Sequence, residues 1–467
     1  MENQGIRDAR KLGMPKMLVL GLQHMFAMFG ATVLVPALTG LSVSATLLFA
    51  GLGTLLFHFL AKGKVPAFLG SSFAFLAGYA AIAPNGEAAL LPYACVGVAC
   101  SGLLYLVLAA LVKSFGTEKV MSFFPPIVTG PIIICIGMTL ANSAINNCNG
   151  NWGIALIAIV TVVVFNIWGK GMFKIVPILM GVLVSYAVAA ILGQVDFSGV
   201  ASAAWIGLPV KFENTVFSLI GNCDTSLLIT AIIAIMPIAL ATMIEHIGDI
   251  CAISSTVGEN FIEDPGLHRT LMGDGFATAL ASLFGAPANT TYGENTGVLA
   301  LTKVYDPRVV RIAAVFAIIA SFCPKFSALV SAMPVGTIGG VSLILYGMIS
   351  AIGVRNLVEN HVDLSQSRNV IVASLIMSLA LGITFSSAGA IKVALGSITL
   401  SFSGLAVAAV VGIVVNAILP GNDFSFSSEY KHGKPKRGEA KSLHKPKPVQ
   451  AEKRSKKGIR FRGFLFC

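Results

Sequence analysis

Charge is what this chain has least of. Lys, Arg, Asp and Glu make up 11% of its 467 residues, against about 25% in a soluble domain. Acids are the scarcest, 21 beside 32 Lys and Arg. Length alone would call for about three soluble domains, but repeated apolar runs of about 20 residues exclude that reading. Among the eight cysteines no two stand as CxxC and none clusters with His, so nothing argues for a metal site. Most of them lie in apolar segments, where Cys packs as a small hydrophobe. Cys148 and Cys223 can both fall in outer loops, and the sequence leaves their pairing open. No phosphate-cradling Gly-rich loop and no nucleophile–His–acid constellation is present, which removes the enzyme classes those motifs mark. No cleavable signal peptide is evident, because the N-terminus is polar through Lys16 and then enters a full-length span. What is there is apolar: 55% of residues are hydrophobic. The chain reads as an all-α polytopic membrane protein.

Fourteen hydrophobic segments are expected, near residues 17–38, 44–61, 65–83, 89–112, 121–142, 152–168, 173–193, 225–248, 269–285, 288–303, 308–323, 333–353, 369–387 and 400–420. With the N-terminus placed in the cytoplasm, the inner side before residue 421 holds sixteen Lys and Arg, including Lys62, Lys113, Arg269 and Lys303. The outer side holds only Lys211, Lys325 and Lys392. That bias is the positive-inside rule, and it expects an even number of spans with both termini in the cytoplasm. Residues 1–16 are then a cytoplasmic N-terminus and 17–420 the membrane body. Residues 421–467 form a basic tail with thirteen Lys and Arg against four acids, nine of the net +11. Its Lys/Pro/Ser-rich composition expects disorder and attraction to anionic lipid, with no nucleic-acid partner.

One stretch breaks the apolar pattern. Asn289–Lys303 lies between hydrophobic runs, yet its first half is polar and carries Glu294. An ionised group at bilayer depth is costly and normally faces a protein interior or a water-filled cavity. Interrupted hydrophobic segments in corresponding positions of two halves point to a transporter's binding site. Here the halves echo each other. Gln23-His24 resembles Glu245-His246 at an offset of 222. Gly70–Phe75 and Tyr292–Asn295 share that offset, and Phe124–Gly130 resembles Met333–Gly339. Seven segments repeated must insert upside down the second time, so a 7+7 inverted repeat is expected. Ser71–Phe75 follows Pro66 and Gly70, and Asn289–Tyr292 follows Pro287, in β-prone composition. Two short antiparallel strands, interrupting segments 3 and 10, would satisfy each other's backbone groups where lipid cannot. Each would lead into a half-helix whose N-terminal amides point at the centre.

The blocks Gln23–Pro36, Gly70–Phe75, Glu245–Gly248, Asp264–Arg269 and Asn289–Gly297 together resemble the uracil-permease branch of the nucleobase–ascorbate transporter family. The resemblance covers roughly residues 15–420, and Glu294-Asn295-x-Gly297 followed by Thr302-Lys303 is similar to the family's signature. It implies a core domain (about 17–112 and 225–323), a gate domain (about 121–193 and 333–420), proton symport of a nucleobase by alternating access, and a homodimer. An acid at position 294 is typical of the family's uracil carriers, whereas xanthine and urate carriers usually place Gln there. Asp249 and Asp274 match acids of the purine carriers, so a purine base stays the alternative. An anion transporter of the same architecture is a more distant one, since buried acids disfavour anions.

The chemistry of uracil fits the residues. Its two N–H groups need acceptors, which Glu245 and Glu294 supply as charge-assisted bonds. Amides of Phe73, Tyr292 or Gly293 suit a carbonyl, and the Phe73 and Tyr292 rings suit the flat face. Tyr346 and Ala31 match positions near the site in the family. Asp249 stands one helical turn from Glu245, and two ionised carboxylates that close repel, which favours a shared proton. Glu245, Asp249, Glu294 and Asp274 are therefore the expected proton-coupling set. No cofactor is expected beyond the coupling ion, a proton or, through carboxylates and unwound carbonyls, sodium. Each residue has a plainer role open to it: helix bracing for the acids and His246, packing for Phe73 and Tyr346, a helix cap for Asp274. Gln23 and His24 are candidates to brace the site from the first span.

Overall fold

The computed structural model describes residues 5–395 and 398–421, so the basic tail beyond Gly421 lies outside the described residues. The first half begins with α1 (Met14–Thr39), ended by Gly40 in the left-handed conformation (φ 79°), and α2 (Val43–Leu60), capped by the Ser42 side chain. Strand β1 (Leu69–Ser71), a 3₁₀ turn at Phe73–Phe75 and α3 (Leu76–Ile82) follow. Then come α4 (Leu91–Phe115), α5 (Thr117–Met121), α6 (Pro126–Asn149), α7 (Trp152–Trp168), α8 (Met172–Ile175), α9 (Pro177–Ile191) and α10 (Ser198–Ser202). The second half opens with α11 (Thr225–Ile235) and α12 (Ala239–Val257), one 33-residue run broken by a 3₁₀ turn around Pro237. It continues through α13 (Leu267–Leu283), β2 (Asn289–Thr291), α14 (Gly293–Thr302), α15 (Pro307–Ser321), α16 (Pro324–Ser331), α17 (Val335–Glu359) and α18 (Ser367–Thr384). The chain then makes β3 (Ala390–Leu395), β4 (Ile398–Ser403) and α19 (Gly404–Ile418).

Among the described residues, seven helices are long and apolar enough to cross a membrane, with the α15–α16 pair, bent by 87°, an eighth candidate. Shorter apolar helices, α7, α9, α19 and the Phe73–Ile82 run, fill the bundle between them. Packing falls mainly into two groups: α1, α2, α4, α13 and α15 against one another, and α6, α7, α9, α17, α18 and α19 against one another. Helix α12 touches both groups, through α14 and β2 on one side and α6 and α19 on the other.

Three expectations shift. The eighth segment runs to Val257 instead of 248, because Cys251–Val257 offers no Gly, Pro or charge to stop it before Gly258. The fourteenth starts at Gly404, because 398–403 form the second strand of an antiparallel hairpin running from Ala390↔Ser403 to Leu395↔Ile398. The first interrupting strand is Leu69–Ser71 instead of Ser71–Phe75, since Phe73–Phe75 already turns into the half-helix. Cys148 is buried in the last turn of α6 and Cys223 is exposed; neither is bonded.

The N-terminal segment is pinned. The Ile6 amide donates to the Lys303 carbonyl (2.7 Å) and the Tyr305 amide to that of Ile6 (2.8 Å). The Asp306 carboxylate accepts from the Ala9 amide at 2.8 Å and from Arg308 at 3.2 Å. Arg7 pairs with Glu259 and donates to the Val257 carbonyl. A strap of residues 5–13 thus joins the loop after α14 to the loop after α12.

Candidate functional site

Strands β1 and β2 pair antiparallel inside the bundle, Leu69 opposite Thr291, Gly70 opposite Thr290 and Ser71 opposite Asn289. The ladder extends at both ends, from the Ser72 amide to the Ala288 carbonyl (2.8 Å) and from the Tyr292 amide to the Phe68 carbonyl (3.0 Å). Two strands of three residues cannot stand alone, and the surrounding helices fix them. The Asn289 amide group donates to the Phe49 carbonyl at 2.9 Å, and Thr278 donates to the Asn289 carbonyl at 2.7 Å. The Leu69 amide donates to Thr54 Oγ1 at 2.9 Å. Ser71 donates to the Thr32 carbonyl at 2.9 Å and lies 3.5 Å from that of Ala31. Ala31, fully buried in α1, thereby shapes the wall against β1. Position 70 must be Gly, because a Cβ there would stand 2.5 Å from the Tyr292 ring.

Beyond the crossing, α14 begins at Gly293 and places Glu294 in its first turn, half-buried. Its amides have no preceding helical carbonyls to bond, which makes this end positive. Helix α12 runs past it, carrying Glu245 and Asp249 one turn apart and both half-buried. Thr291 Oγ1 donates to Asp249 Oδ2 at 2.8 Å, tying α12 to β2. Glu245 lies within electrostatic reach of Asp274 and Glu294, and Asp249 within reach of all three. The four acids form one cluster on α12, α13 and α14.

Asp274 sits in the middle of α13 and is wholly buried, so it caps no helix. Its Oδ2 is 3.0 Å from His246 Nδ1, and that imidazole is equally buried. The rings of Phe57 and Tyr105 meet the imidazole edge-on, at 6.2 and 6.5 Å. His246 is thus a partner of Asp274 on the same helix turn that carries Glu245 and Asp249. His24 Nδ1 and its carbonyl each lie 3.1 Å from the Asn295 amide nitrogen, so α1 braces the first turn of α14.

The aromatic candidates separate. Phe73, at the start of the broken third segment, meets Tyr346 of α17 edge-on, ring centroids 5.9 Å apart. That contact joins the two packing groups. Tyr292 is held against β1. Its hydroxyl donates to the Ser71 carbonyl (2.8 Å) and approaches Thr32 Oγ1 (3.3 Å), its ring packs on Gly70, and its amide is spent on Phe68. The aromatic ring fills the space that the missing side chain of Gly70 leaves. Gly293 lies open beside Asp249. Thr291, Thr32 and Tyr105 were not among the sequence candidates; Thr291 stood inside the polar break, but the other two carry no local signal.

Two broken segments crossing inside an apolar bundle, with carboxylates at the break, build a secondary transporter. A permease-family profile matches residues 15–389. A uracil permease of Bacillus caldolyticus is 40% identical over 427 residues, covering 89% of this chain and 94% of that protein. A uracil permease of Escherichia coli K12 is 38% identical over 85% of this chain and 90% of its own. The chain belongs to this permease family, the nucleobase–ascorbate transporters, and is a multi-pass membrane transporter, not an enzyme. Among solved structures, the transmembrane domain of the cyanobacterial bicarbonate transporter BicA aligns with a TM-score of 0.54 at 14% identity, over 88% of this chain and 99% of that one. The murine anion transporter Slc26a9 aligns at 0.60 and 11%, over 86% and 67%. At such identities the likeness is one of fold alone.

Proposed function

We propose that the chain imports uracil across the cytoplasmic membrane in symport with protons. The observation that carries this reading is the convergence of Glu245 and Glu294 beside the open N-terminus of α14. The two carboxylates accept the ring N–H groups, and the amides of Gly293 and Phe73 donate to a ring carbonyl. Phe73, backed by Tyr346, covers one face of the base. Ala31 lines the wall through β1, and Tyr292 acts from behind as a wedge that sets the half-helix. Relatives of this length and identity named as uracil permeases support the substrate.

Four carboxyls in one interior cannot all stay ionised cheaply. A proton shared among Glu245, Asp249 and Glu294, with Asp274 held apart by His246, is the coupling element. The protein carries its site on a core formed by about 17–112 and 225–323. This rocks against a gate formed by about 121–193 and 333–420, with α12 and the Phe73–Tyr346 contact at the boundary. Fourteen segments in two inverted halves, both termini in the cytoplasm, and a homodimer complete the reading. The two-fold register of β1 on β2 supports the inversion. Asp249 and Asp274 favour a purine base such as xanthine or urate as the second reading.

The test is uptake of radiolabelled uracil by cells without a uracil carrier of their own, with and without a protonophore, competed by xanthine and urate. Uptake that ignores the protonophore removes proton coupling. Competition by xanthine at lower concentration than by uracil hands the site to the purines.

A further inference from the structure

Lys113, His268 and Arg269 surround a cavity of about 140 Å³ whose apolar lining is Leu60 and Met272. These residues come from the last turn of α2, the last turn of α4 and the first two turns of α13, so three helix ends meet here. Lys62 lies two residues past the end of α2, and its charge reaches His268 together with those of Arg269 and Lys113. The Arg269 guanidinium lies 3.4 Å from the Leu60 carbonyl, which holds it at the cavity. Asp264 is paired with Lys64 and lies within reach of Lys62. Among the described residues no ion pair joins Lys62, Lys113, His268 or Arg269 to an acid. The first turn of α13 carries no acid either, so nothing on that helix end offsets the positive end of its dipole.

Three cations gather around an imidazole that burial and their charge keep from protonating, and the one acid nearby is already paired with Lys64, so the site attracts an anion. The flanks indicate what carries it. Phe59 and Phe115, 79% and 61% exposed, stand at the ends of α2 and α4. Leu111 and Phe276 are exposed further along α4 and α13. In a membrane protein, exposed apolar side chains such as these meet acyl chains, while the basic helix ends stand at headgroup level. A small soluble anion would use the basic groups and leave the apolar walls unmatched. We propose that this cavity binds the phosphate headgroup of an anionic phospholipid, with Lys62, Lys113, His268 and Arg269 around the phosphate and an acyl chain along the α4–α13 seam. Helix α13 also carries Asp274, so the lipid would anchor one end of an element of the acid cluster.

The experiment uses the full chain purified in detergent, with melting curves and native mass spectrometry against dioleoyl phosphatidylglycerol and dioleoyl phosphatidylcholine. Phosphatidylglycerol is expected to bind and raise the melting temperature, and phosphatidylcholine not to. At about five-fold per basic residue, K62Q/K113Q lowers phosphatidylglycerol affinity about 25-fold, while K170Q/K174Q on another basic loop leaves it unchanged. K62Q/K113Q should elute and melt like wild type in phosphatidylcholine, which shows it folded. Equal binding of the two lipids, or equal losses in both double variants, overturns the proposal. So does inorganic phosphate that reproduces the stabilisation, which would make this a free-anion site. Should K62Q/K113Q not fold, the wild-type comparison of the two lipids and phosphate still decides.

Discussion

Gly70→Ala tests the strand crossing directly. An added Cβ would stand 2.5 Å from Tyr292 Cε2 and Cζ and 2.7 Å from Thr32 Oγ1. Both neighbours are buried and hydrogen-bonded, so neither can simply swing away. Overpacking a filled interior by one methyl costs about 1–3 kcal/mol. If Tyr292 retreats, its hydroxyl bond to the Ser71 carbonyl goes as well, about 1 kcal/mol more. The expected loss is therefore roughly 2–4 kcal/mol, read as a lower melting temperature of the purified protein with a parallel fall in uracil affinity. Tyr292→Leu in the same background should restore part of the loss, because it removes the ring atoms that clash, whereas Tyr292→Phe keeps them. A double-mutant cycle on stability then gives a clear coupling between positions 70 and 292. Gly70→Ala with a wild-type melting curve, or strict additivity with Tyr292→Leu, would refute the wedge.

Three further outcomes follow from the site and the strap. Glu294→Gln keeps the shape but turns a charge-assisted acceptor into a neutral amide, so uracil binding should weaken about 10- to 100-fold; equilibrium binding at wild-type affinity would take Glu294 out of the site. Thr291→Val removes the hydroxyl that donates to Asp249, and should displace the pH profile of uptake and cost about 1–3 kcal/mol of stability, read as a lower melting temperature; an unmoved profile counts against Asp249 in coupling. In the N-terminal strap, hydrogen bonds from Arg10 hold the Asp8 carboxyl down at about 2. A depressed carboxyl contributes stability above its unfolded value and loses it as pH falls through the folded one, so protease access to residues 5–13 should stay constant from neutral pH to about 4 and rise only in stronger acid. Asp8→Asn should raise access at neutral pH and reduce the acid-dependent rise, leaving the part carried by Glu259 and Asp306.

Much of the fold was legible because a bilayer allows few solutions. Runs of about 20 apolar residues become helices, and each expected segment finds a helix within it. The polar break at Asn289–Lys303 stood out for the same reason, and its pairing with the third segment followed from the need to satisfy backbone groups away from water. The hairpin at 390–403 was hidden by that very logic. Ile398, Leu400 and Phe402 alternate with Thr399, Ser401 and Ser403, a two-residue period. It runs without interruption into the apolar stretch of α19, and hydropathy alone merges the two.

The site was legible in its acids and not in its supports. Glu294 announces itself because an acid among apolar residues is costly anywhere but at a site. The surroundings of Tyr292 could not be read locally, since an aromatic residue beside that acid says nothing of what its ring packs on. That depends on Gly70, more than two hundred residues away in sequence, which leaves the volume the ring fills. The same holds for Asp274. Its place in the coupling argument depends on His246, which stands on α12 between Glu245 and Asp249 in sequence and meets Asp274 of α13 at 3.0 Å. One turn of α12 therefore carries two acids and the histidine that meets the buried acid on α13. Asp274 is joined to the cluster both by charge and through His246. His246→Gln should accordingly disturb Asp274 directly and shift the pH profile of uptake, and an unmoved profile would take His246 out of the coupling network.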